Sequence, residues 1–191
     1  MENLEKLMKV SSEENAARFA VAARRVLSLS QDQPLIYDPT DPLANLKRDY
    51  LRLTELLTKA QKEPRNQRLR KHLQDTTESL VVNAINFHLN FFRPNLLGIS
   101  EPKVFRKLVR EMTSLFRRKN ADYGNAFRFW GIPGLGVRIG DKYFRLVQLS
   151  KKGYKRKIAN EKLPDTALDL ANYGIMLLML LDEGRSLKWG K

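Results

Sequence analysis

"PDTALDLANYGIMLLMLLD", residues 164–182, decides the fold class. It reads as the most apolar helix in the chain, with Pro164 in its first turn, and it is too apolar to be a surface element. Its longest unbroken apolar run, GIMLLMLL at 174–181, is far shorter than the roughly 20 residues that span a bilayer. The segment therefore belongs inside a protein rather than inside a membrane. Helical periodicity continues upstream of it, and no stretch reads as a strand, so the class is all-α.

Working outward, residues 12–29 open with Ser and two Glu, and Phe19, Ala22, Ala23, Val26 and Leu27 then recur at three- and four-residue spacing. QDQPLIYDPTDP, residues 31–42, is a connection rich in turn formers. A second helix is expected over about 43–61, with Leu46, Leu53, Leu56 and Leu57 on one side. Pro64 suits the first turn of a third, which runs to about 92 and ends before Pro94. RPNLLGISEP, residues 93–102, is the best internal boundary; it separates an N-terminal helical region, 1–100, from a C-terminal domain, 101–191. Pro102 opens a fourth helix over 102–119, with Phe105, Leu108, Met112, Leu115 and Phe116 as its apolar stripe. GIPGLG, residues 131–136, reads as a glycine-rich flexible break before a short helix at 137–150, and KKGYKRKIANEK, 151–162, as a basic loop.

The composition is globular, with 42% hydrophobic and 29% charged residues in a chain of 191. The absence of cysteine excludes disulfides and thiolate metal sites. The start, MENLEKLMKV, has no signal-peptide character, so a cytoplasmic protein with no membrane partner is expected. The net charge of +14 is concentrated: residues 101–160 hold 16 Lys and Arg against 4 Asp and Glu. Such a field attracts polyanions, either nucleotide phosphates or nucleic acid. Within it, Lys151, Lys152, Lys155, Arg156 and Lys157 around a tyrosine have the character of a loop that tracks a nucleic-acid backbone. No Walker, zinc, dinucleotide or nucleophile-elbow spacing is present. His72 reads as a surface residue and His88 as packing or a helix-end contact.

The acids are more informative. Glu161, Asp165 and Asp169 are spaced four apart, and in a helix Asp165 and Asp169 share a face with Asn172 and Tyr173. Asp165 suits the positive end of the helix dipole. Asp169 lies a turn further in, among Ala167, Leu168, Leu170 and Ala171, where a charge is costly unless it is paired or metal-bound. Its partner is either an arginine or a hard cation such as Mg²⁺, which needs neither His nor Cys. Asp122 reads as a turn or cap residue, and Asp141 either as a helix-start acid or as an exposed charge pairing with Arg145.

Three stretches, KNADYGNAF, RIGDKYFRL and EKLPDTALDLANYGIM, occur in order over residues 105–182. Together they resemble the three blocks of the nucleotide modification associated domain, first type, found mainly in bacteriophages and bacteria. In outline that family is similar to the all-α nucleoside triphosphate pyrophosphohydrolases of the MazG and dimeric dUTPase group. The resemblance implies a Mg²⁺-dependent, homo-oligomeric nucleotide pyrophosphohydrolase serving phage nucleotide metabolism or DNA base modification. Asp122, Asp141, Asp165 and Asp169 would gather around the metal, with Glu161 or Asp165 as the base for water. Lys119, Arg138, Lys142 and Arg145 would hold phosphates. Tyr123, Asn172 and Tyr173 would meet the base, and Phe127 and Trp130 offer further stacking faces. The paired Glu-x-x-Glu and Glu-x-x-Asp of those enzymes is absent; the fourth helix carries Glu111 alone among cations. The alternatives are a nucleic-acid-binding module and a protein that sequesters nucleotides without cleaving them.

Overall fold

The computed structural model describes residues 10–32, 41, 43–92, 102–151 and 163–187. Among these it has six helices and no strand: α1 Ser12–Asp32, α2 Ala44–Lys62, α3 Gln67–Phe92, α4 Pro102–Tyr123, α5 Ala126–Leu149 and α6 Leu163–Asp182. The all-α expectation holds. No helix among the described residues is long and apolar enough to cross a membrane.

α6 is the central element. Nearly every side chain from Thr166 to Leu181 is buried, as a helix apolar all round requires. Each fully buried leucine contributes about 2 kcal/mol. α3 and α5 pack directly against α6, α2 lies against α3, and α1 pairs with α4. The stripes read from the sequence are the ones buried: Phe19, Ala23 and Val26 on α1, Leu46, Leu53 and Leu56 on α2, and Leu108, Met112 and Phe116 on α4. Phe19 stacks on Phe116 with ring centroids 4.4 Å apart, which joins α1 to α4. The boundary expected near residue 100 lies outside the described residues, and helices from both sides of it share one core. The expected Phe105 contact also falls outside the described side chains.

Three local expectations are corrected. Pro64 precedes the third helix instead of sitting in its first turn; Asn66 caps that helix, its Oδ1 accepting from the Leu69 amide at 3.0 Å. α4 runs four residues past the expected end. GIPGLG breaks the helix at its first residue only. It lies inside α5, and the helix is interrupted at Gly131 alone, with φ 64° and ψ −161°, a conformation open essentially to glycine. Pro133 follows in the first turn after this kink, where its missing N–H leaves no bond unmade. Three further glycines, Gly136, Gly140 and Gly174, serve close packing. A Cβ on Gly136 would lie 2.6 Å from Leu57 Cδ1, and one on Gly140 3.1 Å from the Tyr50 hydroxyl, so these two let α5 approach α2. Gly174 does the same for α6 on α3, where a Cβ would stand 2.4 Å from Val81 Cγ2.

A polar network that the sequence reading missed locks the α4–α5 turn. Asn125 has a left-handed φ of 63°, tolerable for Asn because its side chain bonds locally. Its Oδ1 accepts from Asn120 Nδ2 at 2.7 Å and Asn15 Nδ2 at 2.8 Å, and its Nδ2 donates to the Val10 carbonyl at 2.9 Å. The buried Arg128 donates to Asn15 Oδ1 at 2.7 Å and grips Glu183 through two bonds of 2.6 and 2.8 Å. Arg18 adds a third to Glu183 at 2.7 Å. The start of α1, the α4–α5 turn and the end of α6 are thereby held in one register. That register sets where α4 presents Lys119 and Tyr123.

Candidate functional site

α4, α5 and α6 enclose a cavity of about 750 Å³. Each helix supplies residues at three- and four-residue spacing. From α4 come Phe116, Lys119, Asn120 and Tyr123; from α5, Arg138, Asp141, Lys142 and Arg145; from α6, Asp169, Asn172, Tyr173 and Met176. Four cations thus face two carboxylates, a surplus that favours an anionic ligand.

At the centre is an ion cluster built from all three helices. Lys119 Nζ lies 2.5 Å from Asp169 Oδ1, and Lys142 Nζ lies 3.0 Å from Asp169 Oδ2. The charge that the apolar surroundings of Asp169 made costly is therefore compensated by two ammonium groups, one on each oxygen, rather than by an arginine. Beside it, Asn172 is 3% exposed, and neither its amide nitrogen nor its amide oxygen has a hydrogen-bond partner among the described residues. Leaving both ends of a buried amide unbonded costs about 1–3 kcal/mol for each. A ligand edge offering one donor and one acceptor would recover that cost.

Most of the expected site residues meet here. Lys119, Arg138, Lys142, Arg145, Asp141, Asp169, Tyr123, Asn172 and Tyr173 line one cavity, with Phe127 and Trp130 beside them. The expected acidic cluster does not form among the described residues, which hold no group of three or more His, Asp or Glu able to bind a metal. Asp122 is exposed in the last turn of α4, and Asp165 is exposed in the first turn of α6; neither lines the cavity. The reason is helical phase. Lys119 and Tyr123 take the cavity-facing positions of the last turn of α4 and leave Asp122 outside, while Asp165 sits at the N-terminus of α6, where its charge suits the helix dipole. Asp141 meets Arg138 at 3.6 Å, an exposed pair of little energetic weight. Glu161, Lys152, Lys155, Arg156 and Lys157 lie outside the described residues; Lys151 is exposed and bonds Gln148 at 2.7 Å.

His88 is buried, its Nδ1 3.2 Å from the Pro164 carbonyl at the start of α6, the helix-end contact expected of it. Burial, and then the charge of Asp141, push the Tyr50 hydroxyl above its ordinary value, so this ring behind the cavity wall stays protonated. Sequence reasoning also missed Asn120, which both lines the cavity and bonds Asn125. Its signal was present, since it stands between Lys119 and Asp122 in the first of the three quoted blocks.

No curated protein and no solved structure matches the chain. The segment that supplies Lys119, Lys142 and Asp169, residues 119–181, matches the family described as nucleotide modification associated domain 1.

Proposed function

We propose that the cavity binds a nucleoside triphosphate and, with Mg²⁺, cleaves it to a monophosphate and pyrophosphate. One observation carries the reading: Lys119, Lys142 and Asp169 converge from three helices beside the unpartnered amide of Asn172. The two lysines already hold anionic oxygens, and a triphosphate offers them more charge than one carboxylate does. Arg138 and Arg145 would extend the phosphate track along α5. Asn172 would meet a donor and an acceptor on the base edge, while Tyr123 and Tyr173 offer ring faces for stacking.

The donor set bears on the metal. Two cavity-lining carboxylates are too few for a preformed Mg²⁺ cage, but they suit a Mg²⁺ ion that is also ligated by phosphates. Asp141 and Asp169 would hold it. When bound, it would neutralise phosphate charge and polarise the phosphorus being attacked. Lys119 and Lys142 would move from Asp169 to the phosphates, freeing that carboxylate. We assign orientation of the attacking water to Asp141.

The test is titration calorimetry with a panel of canonical and modified nucleoside triphosphates, alongside pyrophosphate release with and without Mg²⁺. Binding should be abolished in the Lys119→Met, Lys142→Met double variant. Wild-type protein that binds no nucleotide at millimolar concentration refutes the reading. Binding without pyrophosphate release rejects hydrolysis and leaves a protein that holds nucleotides.

A further inference from the structure

We propose that the cavity takes one nucleotide of a single-stranded polynucleotide, with neighbouring bases stacked on aromatic side chains outside it. This rests on the nucleotide reading of the cavity and extends it to a different class of ligand. Among the described residues, every exposed large aromatic lies between positions 123 and 144: Tyr123, Phe129, Trp130 and Phe144, each 50–70% exposed. Rings left this open are costly to hydrate, and two of them, Tyr123 and Trp130, line the cavity.

The rings are held in place. Trp130 packs edge-on against Phe129 with centroids 5.0 Å apart. Phe144 meets both Tyr50 and Tyr143 edge-on at 5.4 Å, and those two stack on each other at 4.1 Å. A base could therefore settle on Phe144 or Trp130 without first ordering a loose side chain. Their positions follow the cavity wall. Tyr123, Trp130 and Val137 line the cavity. Phe144 lies one heptad beyond Val137, about 20° around the helix, so it continues the same wall outward. A single nucleotide in a cavity of about 750 Å³ gives Phe129 and Phe144 no role. A strand passing across it does.

Charge selects the occupant. Arg138 and Arg145 line the cavity together with Tyr123 and Trp130, within the stretch that carries the chain's cationic excess. Aromatic faces interleaved with cations are what a single strand requires, the cations tracking the backbone and the rings taking bases in any sequence. A second copy of the chain fits poorly. A two-fold contact through this patch would set the same arginines against themselves.

The experiment measures fluorescence anisotropy of labelled oligothymidylate and oligouridylate of about eight residues at low salt, with competition by the corresponding mono- and triphosphates. The oligomers should bind at least tenfold tighter than the mononucleotides. Phe144→Ala and Phe129→Ala should each weaken oligomer binding by about fivefold or more, from stacking worth about 1–3 kcal/mol per base. Both should leave mononucleotide affinity unchanged and melt cooperatively by circular dichroism. Equal affinity for oligomer and mononucleotide overturns the proposal, as does retention of full oligomer affinity by both variants. A dimer that Phe144→Ala dissociates overturns it too, since another copy then covers the rings. Failure to bind any nucleotide, single or polymerised, instead refutes the cavity reading beneath it.

Discussion

Replacing Asp169 with Asn separates a phosphate site from a metal cage by the sign of its effect. In the phosphate reading, Asp169 competes with the ligand for Lys119 and Lys142, which it holds at 2.5 and 3.0 Å. Asp169→Asn removes one negative charge next to where phosphates would lie and releases both ammonium groups. A unit charge about 4 Å away is worth about 1 kcal/mol in water and about 4 kcal/mol at the dielectric of a protein surface. Since the cavity opens to solvent, the low end applies, about 1–1.4 kcal/mol, or five- to tenfold tighter nucleotide binding without metal. Titration calorimetry in excess chelator measures it, and the emission of Trp130, which lines the cavity, gives a second signal. In Mg²⁺ the same variant should lose pyrophosphate release. Stability should fall by about 1–3 kcal/mol in urea, less than for a fully buried pair, because the half-exposed Lys119 can turn to water while the more buried Lys142 cannot. If Asp169→Asn weakens nucleotide binding in chelator, the lysines are not in competition between carboxylate and phosphate, and the reasoning fails.

Three further perturbations have defined outcomes. Asn172→Ala should weaken nucleotide binding about five- to hundredfold, from a base contact worth about 1–3 kcal/mol, and leave inorganic tripolyphosphate binding unchanged in the same calorimeter. Burial pushes the Glu183 carboxyl up, but bonds from Arg128 and Arg18 outweigh it and hold the group below its ordinary 4.5. Its stabilisation is therefore complete above about pH 4.5 and lost as pH falls through the lower folded value; Glu183→Gln should lower stability at pH 7 and flatten the acid limb of a urea-midpoint profile. Gly174→Ala should cost about 1–3 kcal/mol against Val81, with Val81→Ala restoring part of it, whereas Gly136→Ala should cost less because it meets the flexible tip of Leu57.

The fold class and the apolar stripes were legible because they depend on near neighbours in sequence. Phe19, Ala23 and Val26 repeat at helical spacing whatever they pack against, and residues 174–181 are apolar on every side. Beyond Gly131, GIPGLG was misread for the opposite reason. Whether a glycine is a hinge or a contact depends on what stands opposite it. Gly136 and Gly140 are fixed by Leu57 and Tyr50, residues of another helix that no local pattern announces. The Asn125 network was hidden in the same way, since Asn15, Arg128 and Glu183 come from three separated stretches.

The acid at position 169 shows where such reading stops. Its apolar neighbours fix that the charge needs a cation, because the cost of burying it is local. They do not fix which cation. Lys119 lies fifty residues away in sequence, and only the packing of α4 and α5 against α6 brings it and Lys142 to the same carboxylate. The dependence also runs the other way. Two ammonium groups facing an oily helix would repel each other if no anion lay between them. Asp169 keeps both inside a cavity lined with rings, close enough to pass to a ligand carrying more negative charge than one carboxylate. On this view the buried acid occupies the two phosphate-binding lysines until a phosphate displaces it, and that is why a carboxylate lies between them.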